Sequence, residues 1–136
     1  MLGAMPDETA RALSWRAVTT WIAVLATVGF LAIGLRALLA PAGASASFGL
    51  PLSGGDGLAF VQAFGARNIG LSLVGMVLIA LDGRRGVAAL FLAGALIAAL
   101  DFWIVANHAG PERALKHVAY VAGLAAFGLW LLFGRR

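Results

Sequence analysis

Two opposite charges lie deep inside apolar stretches of this chain: Arg67, bordered by Gln62 and Asn68, and Asp101. An isolated cation in hydrocarbon costs roughly 2.5 to 3.5 kcal/mol on insertion scales, so each group needs a reason to be there. A guanidinium can hold a carboxylate, or an anionic or carbonyl group of a ligand, through paired hydrogen bonds. A carboxylate so placed can act as acid or base, its proton affinity set by burial and by a nearby cation. His108 and His117 follow Asp101 on either side of a loop, and Tyr120 lies one turn past His117. Any chemistry would be built from these groups. Asp101, Arg67, His108 and His117 are the candidate catalytic residues; Arg67, Asn68, Gln62, Asp101, Tyr120 and Arg36 are the candidate ligand contacts.

Four apolar stretches position these residues: Ala17 to Ala40, Leu58 to Leu81, Val87 to Ala106 and His117 to Phe133. Crossing a hydrocarbon core about 30 Å thick takes about 20 apolar residues of helix, and each stretch comes within a few residues of that. Ala and Leu dominate and the alternation of a barrel strand is missing, so the spans are helices. The expected fold is all-α: one domain over residues 1–136, a four-span antiparallel transmembrane helix bundle. Hydrophobic residues make up 62% of the chain and charged residues 12%, about half the charged share of soluble domains. The basic residues are few and flank the apolar runs, unlike the clustered stripe of a nucleic-acid binder. Nucleic acid is therefore not an expected partner; the lipid bilayer is. The absence of cysteine removes disulfides, thiolate metal sites and iron–sulfur clusters. Two His and six acidic residues supply few other ligands. Asp101, His108 and His117 are of types that suit a divalent ion, but their spacing matches no metal motif, and neither metal nor cofactor is expected.

The connections differ in character. Pro41 to Gly57 is rich in Pro, Gly and Ser and reads as an irregular loop with a short interfacial turn at Phe48 to Leu52. Asp82-Gly83-Arg84-Arg85-Gly86 reads as a tight turn. Gly110-Pro111 ends the third helix, and Pro111 and Glu112 suit the start of the fourth. Arg11, Arg16, Arg84, Arg85, Arg135 and Arg136 fall on one side of the bundle, against Arg113 and Lys116 on the other, plus Arg36 just inside the membrane there. The positive-inside rule then puts both termini in the cytoplasm of a multi-pass protein of the bacterial plasma (inner) membrane. Trp15, Trp21 and Trp130 belong to the inner interface, and Phe102 and Trp103 to the outer. Ala44-Ser45-Ala46 resembles a cleavage site, but the apolar run before it is longer than a signal peptide's, so the first span reads as retained.

This topology gathers scattered residues into one half of the membrane. Arg67 lies roughly 13 Å below the outer end of its helix, and Asp101 about 8–9 Å below the outer end of the next. Arg36, His108 and His117 lie close to the same surface. Gly94, Ala98, Asp101, Val105 and His108 share one helical face, and so do Ala63, Arg67 and Gly70. Arg67, Asp101 and Tyr120 are thus expected to converge inside the bundle, with His108 and His117 at its mouth. Against this stands a plainer reading in which Arg67 and Asp101 form a structural salt bridge, the His residues cap loops and Arg36 snorkels to headgroups. Ala66/Gly70, Ala95/Ala99 and Ala119/Gly123 are the expected close-packing pairs.

Gly65-Ala66-Arg67-Asn68 in the second span, Asp101 in the third, and His108 and His117 after it resemble a family of small four-span membrane proteins catalogued as a domain of unknown function. The resemblance covers about Arg36 to Leu131; it implies a four-helix bundle and brings no activity with it. In size and span count alone the chain is also similar to cofactor-free membrane oxygenases that act on polyketide-like aromatics, with no matching residues. The favoured reading is a protein that binds or transforms a small lipophilic molecule in a polar pocket in the outer half of the bundle. The alternatives are a non-catalytic scaffold or accessory subunit with a structural Arg–Asp pair, and a proton-coupled small-solute transporter that works as a homo-oligomer.

Overall fold

The computed structural model describes residues 17–81 and 83–134. Arg11, Trp15, Arg16, Asp82, Arg135 and Arg136, which carry part of the orientation argument, lie outside the described residues. Within them the chain forms five helices: α1 (Val18–Leu39), α2 (Pro41–Phe48), α3 (Asp56–Ala80), α4 (Arg84–Ala109) and α5 (Pro111–Phe133). The four long helices have 22, 25, 26 and 23 residues, about 33–39 Å at 1.5 Å per residue, enough to cross the hydrocarbon core. No more than 28% of the apolar window of any of them is buried, so most of their apolar surface faces outward, where lipid can cover it. This is an integral, multi-pass membrane protein built as a four-helix bundle.

Hydropathy places the helix ends too far inside. α4 runs on to Ala109 and α5 begins at Pro111, because backbone hydrogen bonding continues through polar flanks that lipid would not accept. Both His108 and His117 therefore lie within helices. The segment read as an irregular loop holds α2, an eight-residue helix. Pro41 at its first turn is preset for helical φ, and Gly49 closes it in the left-handed region at φ 112°. The Gly49 and Leu50 amides both donate to the Ser45 carbonyl, and the Leu52 amide donates to the Ser45 hydroxyl at 3.1 Å.

The bundle consists of two close pairs, α1 with α3 and α4 with α5, with lighter contact between α3 and α4. We call the end that carries α2 and the α4–α5 turn the loop end, and the opposite end the terminal end. Ala23, Ile79, Val87, Ala88, Phe91 and Leu131 join both pairs in one apolar core towards the terminal end. At the loop end α2 packs on α1 and α3, and Gly49 seats against Val105 of α4 and the Arg113 carbonyl of α5.

The seams are made of small residues at heptad spacing. Thr20, Ala23, Thr27, Gly34 and Ala37 are buried on α1, and Gly65, Ser72, Gly75 and Ile79 on α3. A Cβ on Gly65 would lie 2.6 Å from the Gly34 carbonyl oxygen and 2.8 Å from the Leu38 nitrogen, so two backbones touch there. Thr27 and Ser72 donate their hydroxyls to the Ala23 and Asn68 carbonyls, both at 2.7 Å, so neither hydroxyl in the seam is unpaired. The expected close-packing pairs are displaced: Ala66, Gly70, Ala99, Ala119 and Gly123 are exposed, and only Ala95 is buried. Spacing at i, i+4 identified small faces but not the seam, which follows the glycines that meet backbone. Gly65→Ala should lower stability by about 1–3 kcal/mol through overpacking. Gly70→Ala, with open space at its Cβ, should be neutral or gain up to about 1 kcal/mol from helix propensity. Thermal unfolding of both variants in one detergent, followed by circular dichroism, checks the contrast.

Candidate functional site

The loop end is organised around the carbonyls that close α2. The last carbonyls of a helix have no partner within it, and in or beside lipid water does not reliably replace one. α5 supplies both. The Lys116 ammonium donates to the Ser47 carbonyl, and His117 Nε2–H donates to the Phe48 carbonyl at 3.2 Å. The Lys116 cation also suits the negative end of the α2 dipole. His117 is buried, and the rings of Phe48 and Tyr120 meet it edge-on, with centroids 5.0 and 6.0 Å away. Phe48 in turn packs on Phe64 of α3 at 6.2 Å. α2 is thereby wedged between the two helix pairs, with aromatic contacts on both sides.

Several candidate residues prove to do the same kind of work. Gln62 donates to the Leu38 carbonyl at 3.1 Å, near the end of α1. His108 Nδ1–H donates to the Ile104 carbonyl at 2.9 Å, and Asn107 to the Trp103 carbonyl at 2.8 Å, in the last turns of α4. Arg36 is exposed in the last turn of α1, its guanidinium folded beside Gly43. At the terminal end, Arg84 reaches from α4 to the Trp130 and Gly134 carbonyls at 3.3 and 3.1 Å and closes α5. His108 and Gln62 thus each give one donor to backbone, which fixes their orientation.

What remains is Asp101, Arg67, Asn68 and Tyr120, with Arg36, which makes no hydrogen bond among the described residues, and they do not converge. Arg67 is exposed and forms no ion pair with Asp101. The cause is geometric. Gly65 must face α1, and a residue two positions on is turned by about 200° around the helix, onto the outward face. Tyr120 is 52% exposed and touches His117 rather than the bundle interior. Asn68 is half-buried, and its carbonyl takes the Ser72 hydroxyl. Asp101 is half-buried on α4, between the buried residues Ala98 and Val105. Among the described residues no three His, Asp or Glu side chains gather as a metal site, so Asp101, His108 and His117 do not form one.

Residues 26–131, from within α1 to the last turns of α5, match the family described as Domain of unknown function (DUF4267). The chain belongs to that family. No curated protein and no solved structure matches it. The DUF4267 region takes in α2, Arg67, Asp101 and the α5 clamp. Lys116 and Ser45 are the working residues that sequence reasoning missed. The signal for them was Pro41 opening and Gly49 closing an eight-residue run of helix-compatible sequence, which leaves carbonyls that some donor must meet. His117→Phe should keep the aromatic packing and lose the bond. Losing about 1 kcal/mol should speed amide exchange in residues 41–52 about fivefold. Hydrogen-exchange mass spectrometry, with exchange in α4 as the unchanged control, measures this.

Proposed function

We propose that the protein binds a small lipophilic molecule at the loop end of its bundle, with Asp101 as the polar contact. One observation supports the reading. Asp101 is half-buried in a membrane span, yet no hydrogen bond or ion pair to it exists among the described residues. Such a group is costly to keep, and binding is a reason to keep it. A carboxylate without a donor favours a ligand that offers one, a hydroxyl or amine on an apolar body. Phe48 and Tyr120, packed on the buried His117 ring, offer flat apolar surface beside the helix pair that carries Asp101, and the bilayer is the route of entry. Asn68, half-buried on α3, is a further polar contact for a larger ligand.

Binding is favoured over transformation because the reading rests on the carboxylate alone; each histidine gives one ring N–H to a backbone carbonyl and is not needed for it. The scaffold alternative loses the Arg–Asp pair within one chain on which it was built. No observation favours proton-coupled transport. With both termini in the cytoplasm of a bacterial plasma membrane, as the positive-inside rule has it, the site opens towards the outer leaflet.

Native mass spectrometry of protein extracted in lipid nanodiscs tests the reading. The wild type should carry a small molecule distinct from bulk phospholipid. Asp101→Asn should weaken its retention by about tenfold, the loss of a charge-assisted hydrogen bond, with the unfolding temperature nearly unchanged. A wild type that carries phospholipid alone would end the proposal.

A further inference from the structure

Arg67 presents a problem that one copy of the chain leaves unsolved. Its side chain is exposed on a membrane span, and no carboxylate meets it among the described residues. Asp101 has the complementary deficit. The two helices that carry them leave the terminal end together. Arg67 is 13 residues before the last residue of α3, and Asp101 is 17 residues after the first residue of α4. At 1.5 Å per residue that is about 20 and 25 Å from the same end, a difference of about one turn. A long arginine side chain can span such an offset.

We propose that the two groups meet between copies: in a two-fold dimer, Arg67 of each chain reaches Asp101 of the other. A two-fold axis along the membrane normal preserves depth, so the matching levels within one chain become matching levels across the interface. The symmetry is self-complementary, and one contact of this kind makes two ion pairs. Both charges are then answered in lipid, where each alone is expensive. Ala63, Ala66 and Gly70, within a turn of Arg67, are exposed, and a Cβ on Gly70 would meet nothing. No bulky side chain at those positions holds a second chain away. A carboxylate has about four acceptor positions, so a guanidinium and a ligand hydroxyl can share Asp101. The second copy thus contributes a residue to the proposed site. The inference stands on the placement of the two charges and holds whether or not a ligand is found.

A charge exchange between copies tests it. The variants Arg67→Asp and Asp101→Arg are expressed with different tags, alone and together. Each alone opposes like charges at both contacts and should dimerise poorly. Together they should form a heterodimer in which both contacts are complementary, exceeding either homodimer by about tenfold in co-purification from membranes. Pairing within one chain gives no such rescue. As a second measurement, Ala63→Cys is placed in the otherwise cysteine-free chain and treated with a short bis-maleimide in native membranes. A cross-linked dimer is expected, and adding Arg67→Leu should reduce its yield. Variants that accumulate but show no preference for the heterodimer would overturn the proposal. If the charge variants do not accumulate, the cysteine result decides it, and a monomer there overturns it. A wild type that retains its ligand as a monomer would sink the dimer and leave the binding reading standing; a dimer without ligand would do the reverse.

Discussion

A backbone carbonyl left without a donor in or beside lipid costs more than almost any side-chain choice can recover. That constraint shapes the loop end. α2 is too short to cross the membrane, and Lys116 and His117 are the donors that meet its final carbonyls. Once α2 is fixed to α5, Phe48 lies between Phe64 and His117. The α1/α3 and α4/α5 pairs are then held with a helix between them at this end. At the other end the pairs close directly on the core around Phe91. The shape of the bundle follows from what satisfies the end of one eight-residue helix.

The same constraint sorts the polar residues. Gln62, Asn107, His108, Lys116, His117 and Arg84 all donate to main-chain carbonyls. Each has a structural reason to exist and needs no other. Asp101 and Arg67 have no such bond within the described part of one chain, and both proposals start from that. Removing the expected salt bridge strengthens this view, because a pair satisfied within one chain would have explained both residues without a ligand or a second copy.

Four spans, their helical character and the membrane environment were legible because apolar length alone decides them. α2 was harder to see. Its alanines favour helix but Gly43, Ser45 and Ser47 do not, and its ends were marked only by Pro41 and Gly49. The facing of α3 was hidden for a different reason. Both Gly65 and Gly70 are small, and only contact with Gly34 selects Gly65 as the seam and turns Arg67 outward. His108 and His117 were legible as polar residues near a membrane surface but not by role, since carbonyl capping and proton transfer draw on the same side chains. Asp101 kept its half-buried place because Ala98 and Val105, on its own helical face, are buried on either side of it.

The clamp on α2 is the interaction on which the proposed site depends, and it can be observed directly. Solid-state NMR recoupling between labelled His117 Nε2 and the labelled Phe48 carbonyl carbon, in lipid bilayers, reports whether the two are joined. The account predicts a protonated Nε2 in close dipolar contact with that carbon, set by the 3.2 Å nitrogen–oxygen distance. An unprotonated Nε2 with no coupling to Phe48 would mean that α2 is not held by α5, and the site built on it would have no support.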